Sequence, residues 1–120
     1  MGEHPENQQR PDHTYGINAA LTVIGGKWPA LILYALEDGT KRYNQILKEM
    51  DYCSITRCML TKELRKLESH GLVTRTVYSE VPPKVEYSLT EKGQSIMPIL
   101  DQLCLWGCEH LTDDVEYICE

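Results

Sequence analysis

The chain predicts an α+β domain that is mainly α: four helices, one β-hairpin and a last long helix. Three observations carry this. Apolar residues recur at helical spacing as far as Leu67, the period changes to two between Leu72 and Leu89, and helical spacing returns after Thr90. A length of 120 residues suffices for a single core.

Residues 1–13 are polar, contain Pro5 and Pro11 and show no periodicity, which predicts a disordered arm. The folded domain is expected over residues 14–111, with residues 112–120 as an acidic tail. Ile17, Ala20, Leu21 and Ile24 follow one another at i, i+3, i+4 and i+7, a short amphipathic helix that Gly25-Gly26 ends. Trp28 and Pro29 open a second helix, where the proline's missing donor does no harm. Its run of Leu31, Ile32, Leu33, Tyr34 and Leu36 is apolar enough for the centre of the core, and Asp38-Gly39 stops it. Lys41-Arg42-Tyr43 reads as a short extended link, Asn44 to about Met50 as a brief third helix, and residues 51–55 as a turn.

The fourth helix is the most informative. Thr56 can cap its start, Leu60, Leu64 and Leu67 form a narrow stripe, and Gly71 supplies the left-handed stop. At about 100° per residue the opposite side carries Cys58, Thr61, Lys62, Arg65, Lys66 and Ser69, without an acid. Solvated helices often look like this. Such a face also offers donors to an anionic groove.

After Gly71 the chain predicts two strands, Leu72 to Val77 and Val85 to Leu89, joined by a loop that Pro82 and Pro83 stiffen. Thr90 then caps a helix reaching about His110, with Pro98 expected to bend it. Ile96, Ile99, Leu100, Leu103 and Trp106 cover more than one stripe of that helix. One chain would leave part of this surface bare, so Ile17 and Leu21 of the first helix and these five residues are the expected interface of a homodimer. Cover by the first helix of the same chain is the alternative.

The net charge of -6 argues against indiscriminate binding to nucleic acid, but it is unevenly placed. Residues 41–92 hold ten Lys or Arg against seven Asp or Glu, whereas the remainder holds two against eleven. Acidic ends and a basic middle would orient the chain with its centre toward a phosphate backbone. No apolar run approaches the roughly 20 residues of a membrane span and no signal segment opens the chain, so a cytoplasmic location is expected. Five cysteines without such a signal predict reduced thiols rather than a disulfide framework. Cys104 and Cys108 stand at i, i+4 near His110, but further zinc ligands are not evident, and no metal or other cofactor is expected. No nucleophile–base pair or phosphate loop points to an enzyme. Cys58 follows a helix start between Arg57 and Lys62, a setting that suits a reactive thiol, so a thiol-responsive role is an alternative reading for it.

The order of helices, basic helix, stiff-tipped hairpin and final helix is that of a winged helix-turn-helix. Ile24-Gly-Gly-Lys-Trp28, Gly39-Thr-Lys-Arg-Tyr-Asn44, Met59-Leu-Thr61, Gly71-Leu-Val and above all Val81-Pro-Pro-Lys-Val-Glu-Tyr-Ser-Leu-Thr90 resemble the HxlR-type bacterial transcriptional regulators, which are related to MarR-type regulators. The resemblance covers about Ile17 to Trp106. It implies a homodimeric, sequence-specific binder of double-stranded DNA that pairs through its first and last helices. It places the helix from Arg57 in the major groove and the loop around Lys84 at the adjacent minor groove or backbone. Together with the outer face of that helix, it nominates Arg57, Thr61, Lys62 and Arg65 as groove residues, Thr56 and Lys66 near phosphates, Cys58 on the same face, and Lys41, Arg42, Arg75 and Lys84 at the backbone. A small-molecule effector at the dimer junction is compatible with it, though no residue identifies one. Many relatives carry Cys-Pro at the start of the first helix, used by some as a thiol sensor; this chain has Tyr15-Gly16 there. It also has Arg57 and Cys58 where relatives often have Pro and a basic residue. A protein-interaction winged helix is the other use of the same fold.

Overall fold

A computed structural model describes residues 13–111; the expected acidic tail and all of the expected arm except His13 lie outside the described residues. The chain runs α1 (His13–Ile24), α2 (Pro29–Ala35), β1 (Lys41–Arg42), α3 (Tyr43–Glu49), a 3-10 turn at Asp51–Cys53, α4 (Arg57–Ser69), β2 (Val73–Tyr78), β3 (Lys84–Leu89) and α5 (Glu91–His110). His13, assigned to the arm from composition, is the first residue of α1.

The expected link at Lys41-Arg42 is a strand. Its two residues pair antiparallel with β3, Lys41 opposite Tyr87 and Arg42 opposite Glu86, and so complete a sheet of order β1-β3-β2. β2 and β3 form the hairpin, in register from Val73 opposite Leu89 to Tyr78 opposite Lys84.

The core lies where α2, α3, α4 and the first half of α5 meet the base of the hairpin. Ile32, Leu33, Ile46, Leu60 and Leu67 have no exposed surface, and Leu64, Met50 and Leu36 have almost none. Spacing decides which side of α4 is buried: Leu60, Leu64 and Leu67 fall at i, i+4 and i+7, one stripe against α2 and β2. Burying each such side chain contributes about 1.5–3 kcal/mol before entropy is counted.

Thr90 bolts α5 to the end of α4. Its hydroxyl donates to the Gly71 carbonyl at 2.6 Å and accepts from the Gly93 amide at 2.9 Å, while its own amide donates to Leu72 O at 3.1 Å. Gly71 has φ +80°, the left-handed value that reverses the chain after α4. A Cβ on Gly93 would lie 2.1 Å from Leu72 O, so only glycine lets α5 approach this closely. α5 then continues as one helix through Pro98, although that residue cannot donate to the Gln94 carbonyl.

Leu100 was expected in the dimer interface and belongs instead to the chain's own core, 3% exposed. It continues the inward stripe begun by Gly93 and Met97. Ile96 is half-buried against the same core. Beyond Leu100 no residue of α5 is buried, and Leu103, Leu105 and Trp106, like Ile99 just before it, are each at least half exposed. α1 has no buried residue, and Ile17 and Leu21 are both 57% exposed. No single described helix is long and apolar enough to cross a membrane.

Candidate nucleic-acid interface

Two short turns aim α4. Ser54 adopts a left-handed conformation with φ 59°, and Thr56 turns extended, at φ -91° and ψ 163°, so that its hydroxyl accepts from the Met59 amide at 3.1 Å. This satisfies one of the amides that a helix start leaves without a partner. With the leucines turned inward, Arg57, Cys58, Lys62 and Arg65 are exposed, and Thr61 and Lys66 are partly exposed. Arg57, Cys58, Thr61, Lys62 and Arg65 line a shallow hollow of about 540 Å3 along the outer side of α4. A second hollow, of about 500 Å3, lies between α4 and the sheet and is lined by Tyr43, Thr61, Arg65, Glu68, Arg75, Val85 and Tyr87. Thr61 and Arg65 belong to both.

The cations differ in how far they are already committed. Among the described residues Arg42, Lys62, Arg65 and Arg75 form no ion pair and are exposed. Lys66 stands 3.7 Å from Glu63, whose Oε1 is buried and has no hydrogen bond among the described residues, so the ion pair compensates it. Lys84 stands 3.7 Å from Glu86 and 4.8 Å from the centre of the Tyr78 ring, at the loop end of the wing.

Lys41 departs from the sequence expectation. It was nominated as a backbone contact, yet it is only 8% exposed and its ammonium is held by Glu49 and by Asp38 at 3.0 Å. The hydrogen bond to Glu49 pushes its pKa up against the opposing effect of burial, and the hydrogen bond from Lys41 holds the Asp38 carboxyl below its ordinary value. Lys41 ties α3 to the turn after α2 and is not offered to a ligand.

Arg57 is held in place by two residues of α3 that the sequence did not nominate. Its guanidinium donates to Asn44 Oδ1 at 3.2 Å and sits 5.7 Å from the centre of the Tyr43 ring. The Tyr43 hydroxyl donates to the Arg57 carbonyl at 2.9 Å and lies 2.9 Å from Thr61 Oγ1. These partners stand thirteen to eighteen positions apart in the chain, so no periodic pattern pairs them.

The four cysteines among the described residues occupy three settings. Cys53 is buried, Cys58 is exposed in the α4 hollow, and Cys104 and Cys108 are exposed on α5. Burial, then the neighbouring Cys108, push the Cys104 thiol up. His110 stacks on Trp106 at 5.1 Å. Among the described residues no three His, Cys, Asp or Glu side chains are grouped to hold a metal ion.

A basic helix seated across a small helical core, with a two-stranded wing beside it, defines a winged helix-turn-helix transcriptional regulator that binds DNA. Residues 23–115 match the HxlR-like helix-turn-helix family, and the chain belongs to that family. It is 51% identical over 96 residues to a helix-turn-helix-type transcriptional regulator of Methanothermobacter thermautotrophicus, a match covering 80% of this chain and 72% of the relative. The crystal structure of the regulator YtcD, a protein of Bacillus subtilis, superposes with a TM-score of 0.74 at 48% identity, covering 79% of this chain and 95% of that one. The redox regulator HypR is similar in its oxidised form, with a TM-score of 0.72 at 47% identity over 79% of this chain and 96% of HypR.

Proposed function

We propose that this regulator acts in the cytoplasm as a homodimer, each copy laying α4 in the major groove and its wing against the neighbouring minor groove or backbone. The observation that carries the reading is the outer side of α4, where Lys62 and Arg65 stand exposed and unpaired among the described residues beside the anchored Arg57. Arg57 and Arg65 suit base edges because their planar forks match guanine; Lys62 and Lys66 suit phosphates, with the capping Thr56 close to the backbone. Arg42, Arg75 and Lys84 extend the cationic track toward the wing. DNA and a second copy of the chain are the partners this arrangement requires.

Dimerisation is supported by the second half of α5. Ile99, Leu103, Leu105 and Trp106 are apolar on several sides of a helix that the described residues leave exposed, and α1 presents Ile17 and Leu21 in the same exposed state. A symmetric pairing of α1 and α5 would cover both and would set two α4 helices about one duplex turn, roughly 34 Å, apart.

Cys58 carries a second reading. Its exposed thiol lies in the α4 hollow, so oxidation there would obstruct DNA contact, and the similar protein HypR is a redox regulator. The test of the main reading is selection from a pool of randomised duplexes, followed by titration of the enriched site. Two chains per duplex and an inverted repeat of half-sites are expected; failure to enrich any sequence overturns it. Loss of binding on diamide treatment that persists in C58S would overturn the second reading.

A further inference from the structure

The hydroxyl at the centre of the α4 surface has a fixed polarity. A carbonyl oxygen can only accept, and a phenol has one proton, so the Tyr43 hydroxyl spends that proton on the Arg57 carbonyl. Its 2.9 Å contact with Thr61 Oγ1 is then a hydrogen bond only if Thr61 donates. Thr61 has one proton as well. With that proton turned toward α3, the part of its oxygen facing the two hollows presents lone pairs alone. A free threonine hydroxyl rotates and serves either a donor or an acceptor on a base; this one serves only a donor.

We propose that Tyr43 is a positioning residue for sequence reading, which holds Thr61 as a hydrogen-bond acceptor toward the major groove. At the base it meets, Thr61 therefore requires adenine or cytosine on the contacted strand. Those two bases present an exocyclic amine in the major groove, whereas guanine and thymine present O6 and O4 at the corresponding places. The same phenol holds the Arg57 carbonyl and its ring lies beneath the guanidinium, with Asn44 fixing the far end. The first turns of α4 thus offer a set pattern: a donor fork at Arg57 and, one helical turn on, an acceptor at Thr61. No base or phosphate need be present for this pattern to form, because every partner in it belongs to α3 or α4.

The inference rests on the DNA-binding reading and adds to it the direction of one hydrogen bond. The test is parallel selection from randomised duplexes by the full-length wild type, Y43F, T61S, T61V and the double variant Y43F/T61V, with single-base variants of the enriched site titrated afterwards. The wild type is expected to show a position in each half-site where adenine or cytosine is preferred over guanine or thymine by about ten-fold or more. In Y43F the Thr61 proton is released, and the preference at that position alone should fall to about two-fold while a second, Arg57-dependent guanine position is retained. T61S keeps the hydroxyl and should keep the preference. T61V should lose it, and Y43F should then change nothing further at that position, an interaction that general weakening of the fold would not produce.

A wild type that enriches a site without any position demanding adenine or cytosine overturns this inference and leaves the DNA-binding reading standing. So does a Y43F protein that keeps the full preference. A wild type that enriches nothing overturns both.

Discussion

α4 and the second half of α5 are both helices with many apolar residues, but they end in opposite states. On α4 the leucines Leu60, Leu64 and Leu67 occupy one stripe and are buried by the same chain, which leaves Met59 as the helix's one exposed large apolar residue. On α5 they outnumber one stripe: Met97 and Leu100 are buried, while Ile99, Leu103, Leu105 and Trp106 remain more than half exposed. A narrow stripe can be satisfied by one fold, and what remains outside is, apart from Met59 and Cys58, polar and available for a charged ligand. A broad one cannot, and what remains outside calls for a second apolar surface. On the proposed reading α4 faces DNA and α5 faces another copy.

Damage to each surface in turn should separate the two roles. L64A removes a fully packed side chain and should cost about 2–5 kcal/mol, read from urea or thermal unfolding, because the surrounding helices can only partly collapse. L103E should leave the fold of the chain intact and convert the dimer to monomer in sedimentation. Affinity for a two-half-site duplex should drop by about a hundred-fold or more as avidity is lost. A fully dimeric L103E protein with undiminished affinity would remove α5 from the interface.

A smaller effect separates structural cations from ligand-facing ones. K41M should reduce stability by about 1–3 kcal/mol through loss of charge-assisted hydrogen bonds. Lys41 titrates above its ordinary value, so its contribution is complete below about pH 10.4 and disappears as pH rises through the higher folded value. Asp38 titrates below its ordinary value, so its share is present above about pH 3.9 and fades as pH falls through the lower folded one. The difference between wild type and K41M should therefore be flat across neutral pH and shrink toward both extremes. A difference that peaks within the neutral range would contradict the ion-pair account.

How much of this was legible in the sequence varies by element. Caps and stops at Thr56, Gly71 and Thr90 act over three or four residues, and each is found where local spacing placed it. Two residues carry no period, so Lys41-Arg42 reads as a link; pairing with β3, more than forty positions away, makes it a strand. Lys41 reads as a DNA-backbone contact because it belongs to the basic middle of the chain, yet Asp38 at i-3 and Glu49 at the end of α3 draw it inward. Leu100 was placed in the interface because the last helix was too apolar as a whole; the inward azimuth it shares with Gly93 and Met97 puts it in the core. Tyr43 and Asn44 were invisible for another reason. Their importance lies in contacts with Arg57 and Thr61 that exist only after α3 and α4 have packed.

The central claim is that the outer side of α4 meets the phosphates and bases of a duplex, and its salt dependence is the most direct check. The enriched site should be titrated over a range of salt concentrations with wild type and with K62A/R65A. Two lost cations per copy should weaken binding and reduce the slope of log affinity against log salt by about three to four units for a dimer if all of them contact phosphate, and by less for any that read bases. Equal affinities and equal slopes would contradict it.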